Sequence, residues 1–468
     1  MNLKRDLSYF DLMNLVIGAI VGSDIFIVPG LIGGLIGPFS ILIWIIAGAM
    51  ATVLAMVFAY CSYYVPKVGG SFAYVSKAFD NFYGFIAGWS MCIAEIVVLP
   101  VFAIVFTNYL EYFIPLTFAM QLMVRVVFIV VLTFINVIGV KAAGRLNDAL
   151  TLTKLTPLFL IILLGVGSIL LRPSLTGNYS PIAPMGLNNF GAVLVLVFWA
   201  YAGFELGTLP ASEVVNPKKN VPRAMISGMA IVIFFYVMTN VAAYGVVNWA
   251  DLSKSHTPLV LVSTALLGTV GGAITVVGAL ASVSGTEETE VLGSARLIYA
   301  MSGDGFLPKA LSKVHPRLKT PYIAIMMEGT IALVLMPFSG IPQLISFAVF
   351  NLAVCYLLVC LALTVLRKKN GEHSLRGQNA LPWIGVGISL YLLYSTSLFD
   401  KLVGTLVILL GLPIYLYFSK TNIHRLKSEL IEETSILATS PQRGNKPLGS
   451  FIRLLLEAYR KIRTKSSN

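Results

Sequence analysis

Long apolar stretches, separated by short polar and mostly basic segments, run through this chain from residue 10 to residue 419. A spanning helix needs about 20 predominantly apolar residues. Twelve stretches approach or exceed that length: 10–36, 38–64, 82–106, 121–140, 150–171, 190–209, 224–248, 270–300, 321–339, 341–366, 381–399 and 402–419. They are continuous rather than built from segments of about ten alternating residues, which excludes a transmembrane β-barrel. The pattern predicts an all-α integral membrane protein with about twelve transmembrane helices.

Two stretches break the pattern. The first contains Gly18-Ala19-Ile20-Val21-Gly22-Ser23-Asp24-Ile25-Phe26, and the sixth contains Phe198-Trp199-Ala200-Tyr201-Ala202-Gly203-Phe204-Glu205. Each places small, helix-weakening residues and one carboxylate where a span should be uniformly apolar. Backbone can leave the helix at bilayer depth only where protein or a water-filled cavity satisfies its polar groups. A matched pair of interrupted segments in the two halves of a chain points to a transporter's binding site.

Composition agrees with the pattern: 57% of the 468 residues are hydrophobic and 12% charged. Charge adds orientation. With an even number of spans both termini share one side, and 28 of the 33 lysines and arginines fall on that side. The positive-inside rule therefore predicts cytoplasmic termini in a multi-pass protein of the cell (plasma) membrane. The net charge of +12 sits in loops and in the tail 420–468, so anionic lipid explains it without nucleic acid. Within that tail, 451–463 reads as a basic amphipathic surface helix. The pattern predicts a short cytoplasmic N-terminus at residues 1–9 and a transmembrane domain over 10–419.

Familiar enzyme chemistry is missing from the pattern. The four cysteines fall within spans without a Cys-x-x-Cys pair, the four histidines are scattered, and no phosphate-cradling glycine loop occurs. The reading is therefore a non-enzyme that needs no cofactor and no metal. The polar signal lies instead in Asp24, Glu95, Glu205, Glu287, Glu288, Glu290 and Glu328 inside the spans, against one interior base, Lys154. Each such acid costs about 2.5–3.5 kcal/mol near a helix centre, so they must be protonated, paired, hydrated or neutralised by a cation.

The motifs resemble those of the amino acid–polyamine–organocation permease superfamily over about residues 7–419. Gly22-Ser23-x-Ile25-Phe26 with Pro29 resembles its first-span break, and Pro66-x-x-Gly69-Gly70-Ser71-x-Ala73-Tyr74 its loop after the second span. Phe198 to Glu205, then Glu213-x-x-Asn216-Pro217-Lys218-Lys219, resembles its sixth span and following loop. Arg296-x-x-Tyr299-Ala300-Met301-x-x-Asp304-Gly305 closes the eighth. The resemblance implies a 5+5 inverted-repeat, leucine-transporter-like fold with discontinuous helices 1 and 6. Its repeats would cover about 10–171 and 190–366, with peripheral helices in 381–419. It also implies substrate contacts from Ala19, Ile20, Gly22, Ser23 and Asp24, and from Phe198, Trp199, Ala200, Tyr201 and Gly203. Lys154 resembles the tethered ammonium that replaces a sodium ion in sodium-independent relatives. It joins Glu205, Glu287 and Glu288 as a coupling residue.

Two departures bear on the substrate. Asp24 stands where most relatives have a second glycine, and the eighth span carries Glu287-Glu288-Thr289-Glu290. An Asp24 oxygen can cap the second half-helix and so occupy or repel the place of a substrate carboxylate. The resemblance thus implies a secondary permease for amino acids or related amines, proton-coupled or exchanging, embedded in the bilayer. An importer or antiporter of cationic polyamines is the alternative, and a non-transporting sensor of the same fold is the remote one. Assembly as a homo-oligomer is left open.

Overall fold

The computed structural model describes residues 8–139, 143–208, 214–337, 340–369 and 379–419. The N-terminal residues 1–7, the loop positions 209–213 and the basic tail with its 451–463 segment lie outside the described residues. Among those described the protein is helical and contains no β-strand. In chain order the helices are α1 (Tyr9–Ile20), α2 (Asp24–Ile36), α3 (Ser40–Tyr64), α4 (Gly70–Ala78), α5 (Asn81–Leu110), α6 (Phe118–Ile138), α7 (Ala143–Leu171), α8 (Phe190–Trp199), α9 (Pro217–Val246), α10 (Trp249–Lys254), α11 (Pro258–Gly303), α12 (Tyr322–Leu335), α13 (Ile341–Lys369), α14 (Leu381–Ser395) and α15 (Leu398–Phe418).

Local chemistry sets many of the ends. Ser8 and Asp11 form a reciprocal capping box at the start of α1. Asp80 accepts from the N–H groups of Phe82 and Tyr83 at 2.8 and 3.0 Å to start α5. Pro217 and Pro258 occupy the first turns of α9 and α11, where a missing N–H costs nothing.

Eight helical stretches among the described residues are long and apolar enough to cross a membrane, and α1, α8, α12 and α14 are shorter apolar helices beside them. Several differ from the sequence-based spans. The first is two helices parted at Val21–Ser23, and the sixth is α-helical only to Trp199. The eighth begins at Pro258 rather than at 270 and bends sharply at Gly268, whose φ of 65° belongs to glycine. Two short helices were not foreseen at all, α4 and α10.

Packing places the breaks at the centre. α1 packs on α9, α3 on α9, α7 on α9 and α11, and α5 on α11 and α13. α6 lies outside, burying only Phe128, Ile129, Leu132 and Asn136 while Phe118 and Phe134 face outward. Such an apolar exterior would be an aggregation surface in water and is the matching surface for lipid. The protein is a multi-pass membrane protein. α10 covers one end of the bundle against α2, and the 173–189 segment reaches the same end through Phe39 N–H donating to Ile182 O at 2.8 Å. α4 follows the far end of α3, a 25-residue helix, roughly 37 Å away along its axis.

Candidate functional site at two apposed helix breaks

In the first break, α1 ends at Ile20 and Val21 turns extended, with its N–H still bonded to Ile17 O at 2.9 Å. Gly22 lies tight against α11: a β-carbon there would lie 3.0 Å from Thr286 Cγ2. The carbonyls released by the break are claimed by neighbours. Ser282 Oγ donates to Gly22 O at 3.1 Å and Val21 O at 3.3 Å, and Thr286 Oγ1 donates to Val21 O at 3.2 Å. Lys154 Nζ, from α7, donates to Gly18 O at 2.7 Å and is 1% exposed. The lysine ammonium and the two hydroxyls thus supply donors to carbonyls that the break releases from helical hydrogen bonding.

In the second break the chain leaves α8 after Trp199 and tightens into turns. Tyr201 N–H bonds to Phe198 O, Ala202 N–H to Trp199 O, and Leu206 N–H to Gly203 O, at 2.9 to 3.2 Å. Gly203 adopts φ +104°, and a β-carbon on it would sit 2.6 Å from Ala19 O. Both facts demand glycine. They also bring the two interrupted segments, 184 residues apart, into direct apposition.

Asp24 opens α2 and is buried. Its Oδ1 accepts from the N–H groups of Gly22 (3.4 Å) and Ile25 and from Tyr236 OH at 2.8 Å. Ser23 rather than Asp24 holds the N-cap position, and its buried hydroxyl has no partner. Lys154 and Asp24 interact through space, yet Lys154 forms no ion pair with it; the ammonium is spent on Gly18 O. Two amide groups beside this helix start, those of Gly22 and Ile25, are therefore taken by the protein's own carboxylate.

Aromatic rings wall the site. Tyr201 OH donates to Trp44 O at 3.0 Å, and the Tyr201, Trp44 and Tyr236 rings lie 5.2 to 5.8 Å apart in pairs. Tyr236 OH also reaches Ile20 O at 3.2 Å. Trp199 packs beside Phe102, and Phe198 faces Tyr356. Ala200, between Trp199 and Tyr201 in sequence, is buried. Trp44, Tyr236 and Tyr356 were missed by sequence reasoning, since a lone aromatic in an apolar span carries no signal of its own.

Glu205 is 2% exposed and committed at both oxygens: Oε2 accepts Gly203 N–H at 2.7 Å and Oε1 accepts Tyr356 OH from α13. It ties the second break to α13. Glu287 is buried with Oε2 unpartnered and Glu288 is half-buried; neither is hydrogen-bonded to either break. A small cavity, with room for little more than about one water molecule, lies toward α4 and is lined by Glu95, Glu205, Ser71 and Ser294 among others. No cluster of His, Cys, Asp and Glu among the described residues is placed to hold a metal ion.

The comparisons with known proteins fit this geometry. The chain is similar to the serine/threonine exchanger SteT of Bacillus subtilis, 28% identical with 88% of this chain and 96% of that one covered. It is similar to the branched-chain amino acid permease BcaP of the same organism, 26% identical with 90% and 94% covered. It also resembles the human large neutral amino acids transporter small subunit 2, 28% identical with 88% and 80% covered. The family model described as amino acid permease matches residues 7–416, so the chain belongs to the amino acid permease family, within the amino acid–polyamine–organocation superfamily and made of transporters rather than enzymes.

Proposed function

We propose that the protein is a secondary active transporter of amino acids or related amines, working by alternating access and independent of sodium, with proton coupling or exchange. The observation that carries this reading is the apposition of the two breaks, with Gly203 against Ala19 O. Two unwound segments meeting in the protein interior supply the free amides and carbonyls that recognise a small zwitterion or amine, and such pairs recur at transporter sites. Ala19, Ile20, Gly22, Ser23, Asp24, Phe198, Trp199, Ala200, Tyr201 and Gly203 form the binding region in this proposal. Lys154 on Gly18 O stands in for a bound sodium ion. Twelve spans in a 5+5 inverted arrangement with cytoplasmic termini in the plasma membrane fit the helix order, one break opening each half.

One observation favours the amine side of this class. Asp24 occupies the amides that would bind a substrate carboxylate, so the site presents a negative wall to a cation instead. Among relatives, the methylthioribose transporter of Bacillus subtilis is similar over 90% of this chain, so its family's fold is not tied to one substrate.

The test is uptake by purified protein in proteoliposomes, screening amino acids and their decarboxylated amines. Uptake that persists when sodium is replaced by potassium or choline, and that responds to a pH gradient or preloaded substrate, supports the proposal. A strict sodium requirement removes the role given to Lys154, and no uptake of any amino acid or amine removes the whole reading.

A further inference from the structure

Beyond the breaks, three helices bring carboxyl groups together where no function has been assigned. Glu95 of α5, Glu290 of α11 and Glu328 of α12 are 8%, 8% and 0% exposed. The Glu95 and Glu290 carboxyls lie within hydrogen-bonding reach of one another. Glu290 Oε2 is buried with no partner, and so are both oxygens of Glu328. The Ser294 hydroxyl, beside Glu328, donates to Glu290 O at 2.8 Å. Glu95 also lines the small cavity next to Glu205.

Every other titratable group facing these carboxyls is an acid. Cys92 of α5 lies beside Glu95 and Glu328, and Cys355 of α13 beside Glu95 and Glu205. Glu205, with Tyr356 bonded to it, and the more distant Asp24 add further negative charge to the field at Glu290. No lysine, arginine or histidine among the described residues contributes there. Ionised carboxylates only accept hydrogen bonds, so two of them cannot bond to each other without a proton between them. Bare buried charges of one sign are also too costly to keep. The cavity is too small for an amine substrate, and no metal-holding set exists among the described residues.

We propose that Glu95 and Glu290 form a proton-binding site, one proton shared by two carboxyls, separate from the Lys154 site at the first break. Its place in a transport cycle rests on the reading above: it would hold the proton that moves with, or against, the substrate. Its existence does not rest on that reading.

Infrared spectra of the purified protein test it through the carbonyl stretch of protonated carboxyl groups at neutral pH. In Glu290→Gln the new amide donates to Glu95, which then ionises, so the band loses the intensity of one carboxyl. Glu95→Gln loses the same intensity. The double variant loses no more than either single one, because both substitutions remove the same proton. Unchanged bands in the single variants, or losses that add in the double variant, overturn the proposal. Should a glutamine variant fail to fold, wild-type protein with carboxyl-labelled glutamate decides by nuclear magnetic resonance, where a spectrum of ionised glutamates alone overturns it. Proteoliposomes that show no uptake would defeat the transport reading while leaving the spectral result intact.

Discussion

Lys154 Nζ lies 2.7 Å from the carbonyl oxygen of Gly18, joining the middle of α7 to the last turn of α1 before its break. Lys154→Ala leaves that carbonyl without its charged donor, a stability loss of about 1.5–3 kcal/mol. Uptake is expected to fall by at least about tenfold, well beyond what the lost stability alone removes from a folded population. Transport at the wild-type rate with an unshifted thermal midpoint would show that the lysine is dispensable.

Asp24 makes a sharper test of substrate class. In the wild type, an amine is expected to compete better than its parent amino acid. Asp24→Gly frees the amides of Gly22 and Ile25, and preference should swing toward the amino acid by about tenfold, or ~1.4 kcal/mol. Competition assays with both compounds on both proteins measure it. An identical preference in the two proteins would reduce Asp24 to a structural cap.

Gly203→Ala forces a side chain into φ +104° and a β-carbon to 2.6 Å from Ala19 O. Strain of this kind costs about 1–3 kcal/mol before the clash is counted. The variant is expected to lose transport and to unfold at lower temperature. Gly167→Ala serves as the control, since a β-carbon there meets nothing within 4 Å and a helical alanine gains up to ~1 kcal/mol. Equal behaviour of the two variants would contradict the apposition of the breaks.

At Glu205 the hydrogen bonds predict different outcomes for two substitutions. Glu205→Gln keeps an oxygen for Gly203 N–H and turns its amide toward the Tyr356 hydroxyl, which can also accept. Its uptake and the shape of its pH profile should stay close to wild type. Glu205→Ala strands two buried donors at about 1–3 kcal/mol each and should lose most activity. A flattened pH profile in Glu205→Gln would instead make Glu205 the proton-coupling group.

Much of this was legible in the chain. Gly22, Ser23 and Gly203 announce the breaks because helix-weakening residues are anomalous in an apolar span, and Lys154 announces itself by its cost. α10 and the early start of α11 were not legible, because a short polar segment capped by Asn248 looks like any loop until α2 provides a surface for it. Tyr236 and Tyr356 were hidden for a related reason. Their roles depend on which helices pack together, and hydropathy does not encode that pairing. Glu95 and Glu290 were each visible as an interior acid, but 195 positions separate them and nothing in the spacing says that they meet.

Thr286, which holds Val21 O, and Glu290, which faces Glu95, are four residues apart on the same unbroken part of α11. One turn of helix, roughly 6 Å, separates them. A rigid rod gripping two places so close together transmits a stroke from one to the other with almost no lost motion. Any tilt of α11 that loosens the first break must also pull on the carboxyl pair, and any repulsion that drives that pair apart must push on the break.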